Sequence, residues 1–212
     1  MLLSLGKGFI LGSIVWILSI VCDHTISMGS TKLLKKENQE LYYLANKSLF
    51  INMLIVSPII YGFIDTYLID HTISFGTFQF INIGIILLIQ NLGYYLVHKL
   101  FHKSRLYKFH KFHHKFDKRL IPSLGNAVSI TEFVLAYMIP FIIGAYVTHP
   151  SELSMIIPLF LVAILNMSIH CQEFNNIEYP GFIVSPREHS IHHEQRNKHF
   201  AAPVLNLDKI LE

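Results

Sequence analysis

Apolar residues fall into five long runs that are separated by polar stretches. The runs cover residues 6–22, 49–64, 75–97, 127–148 and 153–169. A helix that crosses a bilayer needs about 20 residues, so the third and fourth runs are long enough and the other three are short. Pro58 and Pro140 lie inside runs and are expected to kink their helices. The pattern predicts an all-α integral membrane bundle of about four or five apolar helices.

The first run is interpreted as a retained membrane anchor. A single lysine precedes its apolar residues, as in a signal peptide, but the run is long for that role. Asp23 and His24 follow it, where a signal peptide would carry a cleavage site between small residues.

The basic residues predict how the bundle is oriented. If all five runs cross, one side holds residues 23–48, 98–126 and 170–212, with sixteen of the 17 Lys and Arg residues. Only Lys7 lies on the other side. Cytoplasmic loops carry an excess of Lys and Arg, so the first side is predicted to be cytoplasmic. The net charge of +3 is too small, and its carriers too local, to suggest a nucleic acid partner.

Histidines cluster on that predicted cytoplasmic side with repeated spacings. The clustered positions are His98, His102, His110, His113, His114, His189, His192 and His193. Helical residues three or four apart share a face, so each cluster can aim its imidazoles at one place. A zinc site takes three or four protein ligands, so eight histidines are enough for two metals. The linker at residues 149–152 returns the chain to this side just before His170, which we add to the ligands.

Other histidines and the cysteines receive simpler interpretations. We expect His24, His71 and His149 to be surface or packing residues. Neither of the two cysteines belongs to a C-x-x-C pair, which excludes a disulfide framework or a thiolate metal site. Cys171, beside His170, is either a weak extra ligand or a small apolar residue at a helix end, and the second reading is simpler.

Ligands that are all imidazole suit zinc, copper, iron or nickel. Two irons fit best beside a lipid substrate, because unactivated C–H bonds yield only to oxygen activation at a redox metal, and zinc is redox-silent. The chain has neither the G-x-S-x-G nor the H-E-x-x-H motif that would indicate a hydrolase. Binding of anionic headgroups by the basic run 99–119 is a simpler alternative, which accounts for its lysines but not for the repeated histidine spacing.

The histidine pattern resembles the fatty acid hydroxylase / sterol desaturase family of integral membrane proteins. That family has H-x-x-x-H, then H-x-x-H-H, a hairpin of spans, a further histidine and a last H-x-x-H-H, in the order found here from about residue 85 onward. The resemblance implies two iron ions, dioxygen, and an electron carrier of the cytochrome b or ferredoxin type. Zinc could replace iron in a purified sample. The implied product is a hydroxylated or desaturated sterol, fatty acyl chain or sphingoid base.

The chain departs from the family pattern at two places. Where many members have H-P-x-E, this chain has Ser129-Ile-Thr-Glu132. After the last H-x-x-H-H motif, which we call a histidine box like the two before it, this chain has His199 where many members have Asn. His199 is therefore a possible extra ligand. Asn166, four residues before His170, is a possible ligand or a donor that orients one. Glu132 and Glu188 are further candidates for orienting ligating imidazoles.

We therefore expect membrane anchor helices over 1–75 and a hydroxylase-like catalytic domain over 76–212 with a cytoplasmic histidine-rich cap. The expected activity is O2-dependent hydroxylation of a membrane lipid by an oxidoreductase. The alternatives are desaturation at the same site, or a non-catalytic relative that binds metal or lipid. The resemblance implies the endoplasmic reticulum membrane in a eukaryote and the inner membrane in a bacterium. The sequence does not predict an oligomeric state.

Overall fold

The computed structural model describes residues 1–74, 76–117 and 119–211. Phe75, the predicted start of the third apolar run, Lys118 of the predicted cytoplasmic basic set, and the terminal Glu212 lie outside the described residues. The described part is helical and has no β-strand, only an isolated bridge between Ile183 and Leu205. The predicted all-α class is confirmed.

Eleven α-helices are numbered here in chain order, within the described residues. They are α1 Leu2–Thr25, α2 Met28–Glu37, α3 Gln39–Ile51, α4 Ser57–Tyr67, α5 Thr77–Phe101, α6 Tyr107–His110, α7 Ile130–Glu132, α8 Ile139–Thr148, α9 Glu152–Ile169, α10 Pro186–Gln195 and α11 Leu207–Leu211.

Five continuous helical segments are long and apolar enough to cross a membrane. They are Leu2–Thr25, Gln39–Tyr67, Thr77–Phe101, Ile130–Thr148 and Glu152–Ile169, called spans 1 to 5 below. The second is 29 residues long, so this predicted run was much too short. The apolar run missed the first turns of this segment, residues 39–48, because they contain several polar side chains.

Spans 2 and 4 each contain a π-helical segment, Asn52–Val56 and Phe133–Met138. Pro58 and Pro140 each lie two residues after the end of these segments. Proline has no N–H and its ring meets the carbonyl four residues earlier, so the wider π turn accommodates it within a continuous span.

Spans 1 and 2 pack closely through glycines. A side chain at Gly8 would meet Pro58, and one at Gly12 would overlap the carbonyl oxygen of Met53. Small residues let membrane helices approach backbone to backbone. The N-terminal helices are therefore packed tightly into the bundle.

The histidine-bearing segments lie together at the other end of the bundle from Lys7. Lys7 pairs with Asp65 of span 2 at 3.2 Å and with Glu152 of span 5 at 2.8 Å. Spans 3 and 5 end at the opposite side, where His102 and His170 follow them as C-cap residues. Helix α10 covers that end, and it begins with a capping box in which Ser185 and Glu188 bond each other's backbone N–H.

Candidate metal centre

Nine histidines from four separate stretches converge at one end of the bundle and form two groups. The five-histidine group is His98, His102, His110, His114 and His192. The four-histidine group is His113, His170, His189 and His193. Within each group the candidate ligand atoms all lie within 4.8 Å of one another, and eight of the nine side chains are buried. As expected, the three histidine boxes and His170 lie together in the structure, at one end of the bundle.

Both H-x-x-H-H boxes divide between the two groups in the same way. The first and last histidines of each box share a group, and the middle one belongs to the other group. In α10, His189 and His193 are four residues apart and point about 40° from each other around the helix axis. His192 is rotated by about 100° from His193 and so faces the neighbouring group. Our expectation that His110, His113 and His114 aim at one place was too simple, because α6 ends at His110 and a separate 3₁₀ turn carries His113 and His114, with His113 in the other group.

The spacing of the Nε2 atoms fits shared metal ions. Neighbouring Nε2 atoms are 2.9 Å apart for His98 and His110, 3.1 Å for His98 and His192, and 3.0 Å for His170 and His189. A metal–nitrogen bond of about 2.1 Å puts two ligands about 3.0 Å apart at a right angle and about 3.4 Å apart in a tetrahedron. Both groups therefore suit one cation each.

The partners of the other ring nitrogen fix which nitrogen faces the centre. Four Nδ1 atoms have an acceptor at 2.7–2.8 Å. The pairs are His98 with Phe200 O, His110 with Glu132 Oε1, His170 with Asn166 O, and His192 with Lys198 O. An Nδ1–H that donates to a carbonyl or carboxyl leaves a lone pair on Nε2. Lone pairs that face each other at these distances repel, and a bound cation removes that repulsion.

Burial keeps these imidazoles neutral. Outside the spans, it lowers the pKa of His102 and of His170 to about 4, and that of His192 to about 3. Burial, followed by the neighbouring imidazoles, also holds the pKa of His113 and of His189 well below the usual range. Only the neutral ring offers a lone pair to a metal, so the donor set is ready to bind a metal at neutral pH.

Three residues proposed to orient the ligands have different roles in the structure. Glu132 contacts His110 as expected, at 2.7 Å. Asn166 meets His170 through its backbone carbonyl, because its side chain donates to Gly125 O and to Tyr137 Oη. Glu188 caps α10 and pairs with Lys209 at 2.7 Å.

His199 and Cys171 lie outside both histidine groups. The backbone at His199 has a φ of 58°, and the carbonyls on either side of this residue accept from the centre. Cys171 Sγ contacts Ser27 and Glu173. These contacts explain why neither side chain lies among the nine clustered histidines.

The segment after the last box closes the centre in a way that the histidine spacing did not predict. The Phe200 ring packs against His98, His102 and His192 at centroid distances of 5.1–6.1 Å. Asp208 holds this segment by accepting from the Ala201 N–H at 2.7 Å.

A third histidine-containing group lies at the opposite end of the bundle and is already an ion-pair cluster. His71 joins Asp65 and Glu152 there, and Lys7 pairs with both carboxylates. His24 and His149 belong to none of the three groups. All three of these histidines have the surface or packing positions that we expected.

A pocket lined mainly by charged and polar residues opens beside the five-histidine group. It reaches His114 and is lined by Lys111, Lys115 and Arg196 together with Asp117 and Glu40. Arg196 pairs with Asp117 at 3.4 Å. The centre thus has an open approach whose rim carries three basic and two acidic side chains.

The fold and the two histidine groups define a helical membrane protein with a candidate two-metal centre. A family model described as fatty acid hydroxylase matches residues 83–212, more than half of the chain, so the chain belongs to the fatty acid hydroxylase family. Comparisons with curated proteins and with solved structures gave no match.

Proposed function

We propose that this protein is a membrane di-iron oxygenase that hydroxylates a lipid. The observation that supports this most is the pair of adjacent, buried, all-histidine groups at one end of an apolar helical bundle. Family membership supports chemistry of the lipid hydroxylase or desaturase type. Imidazole donors suit iron.

Two irons held by these groups would supply the reduction of dioxygen and the oxidising power that breaks an unactivated C–H bond. The nine imidazoles would bind the metals through Nε2. Glu132 and the carbonyls of Asn166, Lys198 and Phe200 hold four of the rings in the required tautomer. In hydroxylation, one oxygen atom of O2 enters the product and the other leaves as water, with electrons supplied by a carrier.

The basic pocket beside His114 is the proposed approach for that electron carrier, of the cytochrome b or ferredoxin type. Lys111, Lys115 and Arg196 favour an acidic partner surface. The excess of Lys and Arg at the histidine end supports a cytoplasmic orientation. The compartment then follows from the source, as the resemblance implies: the endoplasmic reticulum of a eukaryote or the inner membrane of a bacterium.

Lipid analysis of an expression host tests the activity. Mass spectrometry of host lipids, with and without the protein, should reveal a species with an added oxygen. His113→Ala removes one donor of the four-histidine group and should abolish that species. His24→Ala, a surface histidine outside both groups, is the matched control and should retain it. Product that persists in His113→Ala would count decisively against the metal role.

The same measurement separates the alternatives. Loss of two hydrogens from a host lipid would assign desaturation in place of hydroxylation. An unchanged lipid profile, with a suitable electron carrier co-expressed and metal bound, would indicate a relative that binds metal or lipid without turnover. Metal content alone distinguishes these alternatives less well than lipid analysis, because zinc can replace iron during purification.

A further inference from the structure

A largely apolar cavity lies among spans 1, 2, 4 and 5. Its rim includes the half-buried side chains of Leu11, Ile60, Leu159 and Ala163, which would face the acyl chains of a bilayer. Val162 lines its buried interior. Cavities that bind small molecules are mostly apolar and carry a few polar groups that orient the ligand.

Two polar groups in this cavity have no partner. Tyr61 and Asn126 both line it, and each is only 4% exposed. Among the described residues, none hydrogen-bonds to Tyr61 Oη or to Asn126 Nδ2. A buried donor without an acceptor costs free energy, so such groups in a folded protein need an explanation. Both atoms can donate, and a ligand with an acceptor oxygen would satisfy them.

Both π-helical segments of the chain's spans line the same cavity. Met53 belongs to the segment in span 2, and Phe133, Tyr137 and Met138 belong to the one in span 4. Such segments occur often at functional sites, because they are locally less stable than a regular helix and displace side chains from their usual positions. Here they flank one shared space.

The wall of the cavity is two aromatic rings away from the histidines. The Tyr137 ring contacts the Tyr94 ring at a centroid distance of 4.9 Å, and Tyr94 contacts His98 at 5.0 Å. Spans 1 and 2, which form a large part of the wall, precede the region that the family model matches. The N-terminal helices therefore contribute to the space next to the candidate centre.

We infer that this cavity, about 60 Å³ in volume, binds the oxygen-bearing part of the lipid substrate, and that this ligand is a hydrocarbon lipid with at least one acceptor oxygen, such as a carbonyl or hydroxyl, whose remainder extends past the rim into the bilayer. That the bound lipid is the substrate depends on the proposed function. That the cavity binds a lipid depends only on the residues that line it. The inference assigns Tyr61 and Asn126 as the donors that orient the lipid. It also makes spans 1 and 2 part of the binding site as well as an anchor.

Photolabelling of the purified protein in lipid nanodiscs tests the binding. The probes are palmitic acid and cholesterol, each carrying a diazirine and an alkyne tag, with the unlabelled lipid as competitor. Saturable labelling of cavity peptides by either probe supports the inference. Ala163→Trp, which fills the rim, should reduce that labelling about tenfold. Ile164→Trp, on the exposed side of the same helix, is the control and should not.

A second pair of variants covers the case in which Ala163→Trp does not fold. Tyr61→Phe removes only the unpartnered hydroxyl and should weaken saturable labelling about three- to tenfold, the range expected for one buried hydrogen bond. Its melting temperature should equal or exceed that of the parent, because no internal bond is lost. Tyr67→Phe, an exposed tyrosine on the same helix, should change neither quantity.

Three results would overturn the inference. One is saturable labelling by neither probe in the cavity, another is labelling that Tyr61→Phe leaves unchanged, and the third is a Tyr61→Phe variant that is less stable than the parent. Labelling needs no turnover. Cavity labelling without any oxidised host lipid would defeat the proposed function and leave the cavity assignment standing, and oxidised lipid without cavity labelling would do the reverse.

Discussion

Glu132→Gln is expected to weaken metal binding at the five-histidine group only. Of the four Nδ1 contacts described above, three use backbone carbonyls, and only the His110–Glu132 contact, at 2.7 Å, uses a side chain. The substitution keeps the volume of the side chain, but an amide offers one acceptor oxygen where the carboxyl offers two, and it places an NH2 group where the buried Glu132 Oε2 has no described partner. Disturbing a contact that orients a ligating imidazole costs about 10- to 100-fold in metal affinity. That range corresponds to about 1.4–2.7 kcal/mol.

Zinc affinity is the suitable readout, because zinc is redox-silent and accepts imidazole ligands. The stripped protein would be titrated with Zn²⁺ against a competing chelator dye, which resolves a stronger and a weaker site. One of the two affinities should fall in Glu132→Gln, since no described contact joins Glu132 to the four-histidine group. Glu178→Gln, an exposed carboxyl, is the control. Two affinities equal to those of the parent, in a folded variant, would refute this account of Glu132.

Two further predictions concern stability. Gly12→Ala places a methyl group on the Met53 carbonyl oxygen and should destabilise the bundle by about 1–3 kcal/mol, measured as a lower melting temperature. Gly6→Ala, where an added methyl group meets nothing within 4 Å, should leave it unchanged, and equal values for both would contradict the close packing. Stripping metal with a chelator should lower the melting temperature, and added Fe²⁺ under anaerobic conditions should restore it, because a cation that binds only the folded state stabilises it. A melting temperature that does not respond to metal would contradict the two-cation reading of the histidine groups.

The sequence predicted the number of spans and the convergence of the histidines for clear physical reasons. Apolar runs are bounded by the length that a bilayer requires, and imidazoles at helical spacing share a direction. Both signals are local in the chain. The division of the domains at residues 75 and 76 stays a prediction, as do the roles of the nine histidines as ligands.

Other features of the site depend on contacts between distant segments. The carbonyls of Lys198 and Phe200 meet His192 and His98 through backbone atoms, which carry no side-chain signature. Asn166 was a reasonable candidate by spacing, but the approach of Gly125 draws its side chain away from the metal groups. The two π-helical segments were likewise invisible, because a single extra residue in a turn does not change the apolar pattern.

The shared use of each H-x-x-H-H box has a consequence for assembly. Because both H-x-x-H-H boxes give histidines to both groups, neither group is complete until α10 has docked onto the end of the bundle. Uptake of two metal ions by these groups is then expected to be all-or-none during maturation. If the metal is iron, as proposed, a chain without docked α10 would not retain a loosely held redox ion, and the surrounding membrane would be spared uncontrolled oxidation.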